Sequence, residues 1–175
     1  MPATPPGTSV VEHEVRIAAS PETVFAYFTD PVKLVRWMGA EATLDPRPGG
    51  ICRIAFHPSR ATVELLARVV DTEVPADPLP RGAMAMVGEF VEVDPPSRIV
   101  LTWGWELEEL AVPPQSTLVE VSLTRDGDDT VVRLTHRQLP GDRVAFVRGG
   151  WEHYLPRLAV AAGGGDPGTD PWEKE

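Results

Sequence analysis

The groups in this 175-residue chain that could carry acid–base or ligand chemistry are few. His13 sits among Val11, Val15 and Ile17, and His136 shares a strand face with Val132 and Leu134. A histidine in such a place can move a proton or orient the polar end of a ligand. It can equally be a hydrogen-bonded core residue, which is the default for a buried polar side chain. His57 and His153 look peripheral. None of the four histidines has metal-ligand spacing and no HExxH occurs, so neither a metal nor a cofactor is expected. Glu106, Glu108 and Glu109 read as a solvated edge rather than a chelating set. Nucleophile signatures are missing: there is no GxSxG, and Cys52 has no histidine partner in its sequence context. The phosphate-cradling GxxxxGK[ST] is absent as well.

The aromatic residues say more. Trp37, Phe56, Trp103, Trp105, Trp151 and Tyr154 all fall on expected inward or closing faces. Singly, each is a good core residue. As a group they suit the wall of an apolar cavity, the usual form of a small-molecule site. Met84 and Met86 could line the same wall adaptably. Arg47, Arg53 and Arg133 could reach a carboxylated ligand, although strand arginines more often face water.

Bulk composition narrows the partners. A net charge of −10 argues against nucleic acid and anionic membranes, which call for clustered Lys and Arg. No apolar run approaches the ~18 residues of a membrane span, so no membrane insertion is expected. The first residues, MPATPPGTS, lack the basic and apolar segments of a secretory signal, and the lone cysteine excludes an internal disulfide. The expected location is cytoplasmic. The 19 prolines cluster between segments and punctuate them.

The elements that must position the aromatic set follow from periodicity. Residues 1–8 read as a disordered arm. Val10 to Ala18 alternates as a half-buried strand. Ser20 and Pro21 start a short helix carrying Val24, Phe25 and Phe28; Asp30 and Pro31 stop it and start a second, ended by Gly39. Such a bent pair can close one end of a curved sheet. Strands are expected at 40–44, 51–56, 84–93, 99–107, 117–124 and 130–137, the last two joined by the turn Asp126-Gly127-Asp128-Asp129. Residues 60–74 carry Val63, Leu66, Val69, Val70 and Val74 at near-helical spacing, with a Val-rich strand as the alternative. Residues 142–162 read as a long helix, kinked or broken at Gly149-Gly150 and Pro156. Gly163-Gly164-Gly165 ends it, and 163–175 reads as a tail. Strands and helices segregated in this way mean an α+β fold, with the long helix across the concave face of an antiparallel sheet.

The stretches "ASPETVFAYFTDP…LVRWMG", "GEFVEVDPPSRIVLTWGW", "TRDGDDTVVRLTHRQL" and "GWEHYLPRLA" resemble the START-like (SRPBCC, helix-grip) superfamily. Within it they are similar to the bacterial branch named for heat-shock-chaperone ATPase activator homologues. The resemblance covers residues 9–162. It implies a curved antiparallel sheet gripping the C-terminal helix, two short helices closing one end, and a cavity between sheet and helix. The span 58–82 is longer than the hairpin usual there and could cover a cavity mouth. Three functions are implied. The leading one is binding of a small hydrophobic or aromatic molecule, with Trp103, Trp105, Trp151 and Tyr154 supplying contact area and His13 or His136 orienting a polar end. The second is a polyketide cyclase or aromatase using the same cavity. The third is a chaperone co-factor role through protein contacts. A homodimer is compatible with all three.

Overall fold

The computed structural model describes residues 7–173; the expected arm over 1–8 lies almost wholly outside the described residues. The chain runs through β1 (Ser9–Ile17), α1 (Pro21–Thr29), α2 (Pro31–Leu34), β2 (Glu41–Leu44), β3 (Ile51–Phe56), α3 (Arg60–Val69), β4 (Met84–Asp94), β5 (Arg98–Trp103), β6 (Thr117–Asp126), β7 (Asp129–Leu139) and α4 (Val144–Ala162). All strand pairings are antiparallel, in the order β1-β7-β6-β5-β4-β3-β2. The sheet curves around α4, giving the expected α+β helix-grip arrangement.

The helix starts are written locally. The Ser20 hydroxyl accepts the Thr23 N–H at 3.2 Å, and an Asp30 carboxylate oxygen accepts that of Val32 at 2.9 Å. Each satisfies a donor that a first helical turn leaves without a partner, and the proline after each cap suits that turn. The two-residue turn at Gly127-Asp128 needs a positive φ, and Gly127 supplies it at +64°. Irregular register between Phe90 and Glu92, and between Ser9 and Val11, adds bend to the sheet.

One face of each central strand packs inward. Ile99 pairs with Val121, which pairs with Leu134; Leu101 pairs with Val119, which pairs with His136. Leu158 of α4, Phe90, Ile54 and Trp37 complete a continuous core at under 2% exposure. Burying one such side chain stabilises the fold by about 1.5–3 kcal/mol.

Two expectations change, and one alternative is decided. The strand foreseen over 99–107 stops at Trp103. At Gly104 the chain passes so close to Pro113 that a Cβ would lie 1.7 Å from its carbonyl oxygen, and the ladder gives way to one isolated bridge, Met86 to Trp105. Leu107 therefore leaves the strand face. The helix foreseen over 142–162 begins at Val144 after a 3-10 turn and runs unbroken through Gly149, Gly150 and Pro156. Its packing against the sheet outweighs the hydrogen bond that Pro156 cannot make. The 60–74 segment resolves as helix, ending at Val69.

Candidate functional site

Between α4 and the β3–β5 end of the sheet lies a cavity walled by seven aromatic rings: Phe56, Trp103, Trp105, Phe146, Trp151, Tyr154 and Trp172. Met38, Met84, Leu66 and Val147 fill the gaps between them, and His136 forms part of the floor. The empty space is about 600 Å³ with the open mouth included, of which about 60 Å³ admits the centre of a water molecule. A single water needs about 10–15 Å³ of that second measure. As it stands the cavity therefore holds a few waters or a small guest, and a larger guest requires its rim to move.

The rings meet edge-on or tilted. Phe56 lies 5.3 Å from Trp105 and 5.9 Å from Tyr154; Trp103 lies 5.1 Å from Trp151. Aromatic pairs prefer such geometry to face-to-face contact, and it leaves concave corners between the planes. Gly150 contributes another concavity, since a Cβ built there would meet nothing within 4 Å.

The polar floor is closed on itself. The Trp151 indole N–H donates to Nδ1 of His136 at 3.1 Å, so Nε2 carries the ring proton and gives it to the Thr117 hydroxyl at 2.7 Å. That hydroxyl donates in turn to the Trp103 carbonyl at 2.6 Å. Burial pushes the His136 imidazole down to about 3, so it stays neutral. Both nitrogens are occupied, and neither is free to serve a guest as acid or base. The Tyr154 hydroxyl is held well above its ordinary range, first by burial and then by Asp170 and Glu173.

Two segments build the rim. One is α3, whose Thr62 and Leu66 line the cavity. Space remains around this helix: a void beside Val63, Ala67 and Val70, and an open groove bounded by His57, Arg60, Asp77 and Arg81, with about 1180 Å³ of empty space of which about 500 Å³ admits the centre of a water molecule. The other is the C-terminal strap, 163–173. It folds back over α4 instead of trailing into solvent. Trp172 stacks on His153 at 3.6 Å, with the ring planes 9° apart. Asp170 accepts from His153 Nε2 at 2.7 Å and from the Trp172 N–H at 3.0 Å. Burial alone would raise this carboxyl, but those two bonds and the Arg157 charge hold it below its usual range. The strap also holds the start of α3. The Trp172 carbonyl accepts the Ser59 N–H at 2.9 Å and the Thr62 hydroxyl at 2.8 Å, while Glu173 Oε2 accepts the His57 N–H at 2.6 Å.

The aromatic and polar residues singled out in the sequence divide into two groups. Phe56, Trp103, Trp105, His136, Trp151, Tyr154 and Met84 lie on the cavity lining. Trp37 lies deeper, its indole N–H spent on the Tyr27 carbonyl at 2.9 Å and its ring edge-on to Phe28. Met86 is fully buried opposite Ile54. His13 is half-buried on β1 opposite Leu134, away from the lining, and its Nε2 has no partner among the described residues. Arg47, Arg53 and Arg133 pair with Asp45, Glu106 and Glu14. Among the described residues no group of three His, Cys, Asp or Glu side chains could hold a metal, and no helix is long and apolar enough to cross a membrane. Sequence reasoning missed Thr117, Phe146, Gly150, Trp172 and Glu173. Only Trp172 left a signal, as a large apolar ring in an otherwise polar, proline-rich ending.

Residues 18–163 match the family described as Activator of Hsp90 ATPase homolog 1-like protein. The chain belongs to that family. No curated protein matches it. Among solved structures, this AHSA1-like chain is similar to an AHSA1-like protein of Rhizobium etli, at 37% identity over 100% of this chain and 94% of the other, with a TM-score of 0.63. It also resembles DynU16, a protein of the dynemicin biosynthetic locus, at 21% identity over 92% of this chain and 50% of the other, with a TM-score of 0.66. The Aha1 dimer of Colwellia psychrerythraea matches at 17% identity over 90% of this chain and 99% of the other, with a TM-score of 0.65. The last two likenesses are likenesses of fold. Within the AHSA1-like chain described here, α3 and the strap are the parts that meet over the cavity mouth.

Proposed function

We propose that the protein binds a small hydrophobic or aromatic molecule between the sheet and α4. One observation carries this reading: seven aromatic rings surround space that they do not fill. Cores of natural proteins are packed to crystal-like density, and an unfilled aromatic hollow forfeits dispersion contacts that a guest would restore. The rim supports the same reading. Both covering segments are fastened to each other by a few hydrogen bonds, and the space around α3 leaves that helix room to shift. A reaction in the cavity would need a positioned acid or base. His136 is committed to Trp151 and Thr117, so binding accounts for the geometry better than catalysis does.

The test is a thermal-shift and indole-fluorescence screen of the full chain against small aromatic and aliphatic compounds. A ligand present at about a hundred times its Kd stabilises the folded state by about 2.7 kcal/mol, a readily measured rise in Tm. Trp103, Trp105, Trp151 and Trp172 on the wall should report it by a change in emission. A screen with neither response defeats the proposal.

A further inference from the structure

The chemistry of the lining narrows the guest, on the reading that the cavity binds one. We infer that the preferred ligand is a cation: an amine or quaternary ammonium carried on a compact apolar or aromatic body.

Three observations converge. First, the only ionised side chain on the described lining is the Glu173 carboxylate; no lysine or arginine lines the cavity. Its Oε2 is used by the His57 N–H, and Oε1 is left without a hydrogen bond among the described residues. Burial raises the Glu173 carboxyl, so this charge is under-solvated where it stands. A cation at the mouth would relieve it.

Second, the rings beside Glu173 are set at steep angles to one another. Trp172 stands at 87° to Tyr154 with centroids 5.7 Å apart, Tyr154 at 53° to Phe56, and Phe56 at 49° to Trp105. Planes inclined in this way form a partial box. Ring faces carry the negative lobe of the quadrupole, and such boxes recognise alkylammonium groups.

Third, the fixed charges just behind the wall do not cancel Glu173: Arg157 Nε lies 4.0 Å from Asp170 Oδ2 and offsets that carboxylate, while Glu173 has no ion-pair partner among the described residues. Asp170 and Glu173 both act on Tyr154 in the direction that keeps its hydroxyl protonated, against the single opposing charge of Arg157. Besides Asp170, Arg157 is tied to the Trp37, Pro167 and Gly168 carbonyls. A carboxylate guest would meet like charge and no cation. A neutral guest would leave Glu173 as it is.

The experiment compares three probes by calorimetry and indole fluorescence on the full chain: the isosteric pair phenyltrimethylammonium and tert-butylbenzene, and the anion benzoate. Phenyltrimethylammonium should bind at least about ten-fold more tightly than tert-butylbenzene, and benzoate should not bind. Glu173→Gln keeps an acceptor for the His57 N–H, so the strap stays in place. It should remove most of the preference for phenyltrimethylammonium over tert-butylbenzene. Equal or tighter binding of the neutral probe overturns the charge assignment and leaves the apolar-cavity reading standing. A preference that survives Glu173→Gln overturns it too. If none of the three probes binds, the cavity reading falls and takes this inference with it.

Discussion

His136 and Trp151 are joined by a single hydrogen bond, indole N–H to imidazole Nδ1 at 3.1 Å, and this bond decides the tautomer of a fully buried ring. With Nδ1 accepting, the proton sits on Nε2 and goes to Thr117. The Thr117 hydroxyl then accepts from His136 and donates to the Trp103 carbonyl, so the chain Trp151–His136–Thr117–Trp103 runs in one direction. Thr117→Val keeps the shape and removes the acceptor, stranding a buried N–H, and should destabilise the fold by about 2 kcal/mol. Thr117→Ser should lose well under half of that. Urea denaturation of both variants checks the ordering, and equal losses would contradict it.

The same burial makes stability depend on pH. The folded-state pKa of His136 is about 3, below its ordinary 6.5. The unfolded chain therefore takes up the proton first as pH falls. The contribution is fully present above the unfolded value and is lost as pH drops toward the folded one, by about 1.4 kcal/mol per pH unit. Between about pH 8 and about pH 5 this amounts to about 2 kcal/mol from this one group. His136→Asn should be less stable at neutral pH yet show a shallower decline with acid. Parallel declines in the two proteins would show that another group dominates.

Gly149 and Gly150 adjoin in α4, and a Cβ at either would meet nothing within 4 Å. Either Gly→Ala change should stabilise the helix by about 0.5–1 kcal/mol. Only Gly150 lines the cavity. Gly150→Ala should therefore raise Tm while weakening phenyltrimethylammonium or tert-butylbenzene binding several-fold, and Gly149→Ala should raise Tm alone. Identical binding in the two variants would remove Gly150 from the site.

Asp170 fastens the strap. Asp170→Ala breaks its bonds to His153 and to the Trp172 N–H. Hydrogen bonds to a charged group contribute about 1.5–3 kcal/mol each. The expected result is local: amide exchange at His57 and Ser59, whose N–H groups the strap accepts, should speed up at least about ten-fold, with β6 and β7 amides unchanged. Unchanged exchange at those two amides would mean that α3 holds its place without the strap.

Cys52 is buried opposite Gly88, and burial pushes its thiol up to about 12. The thiolate is the reactive form. A disulfide reagent at neutral pH should leave the native protein unmodified and label it stoichiometrically in denaturant. Rapid labelling of the native protein would mean that the β3–β4 region opens far more readily than its packing implies.

Much of the architecture was written in short stretches of residues. Ser20-Pro21 and Asp30-Pro31 cap two helices because a cap needs only a side-chain oxygen within three positions of a free N–H. Alternation in β6 and β7 is readable because strand side chains change face at every residue. These local rules placed most of the aromatic lining, and the resemblance to a known family supplied the grip of sheet on helix. They could not place Thr117 under His136, 19 residues away, because that contact depends on register and on reach across a pair of strands. They could not separate Trp37 and Met86, spent on the core, from Trp103 and Trp105 on the cavity wall, since all four are apolar and inward. Nor could they bring Trp172 and Glu173 onto α3 across 110 and 116 residues of chain. Periodicity is a property of the backbone and is carried by neighbours in sequence. A cavity is a property of how distant surfaces fail to meet, and only the folded chain decides that.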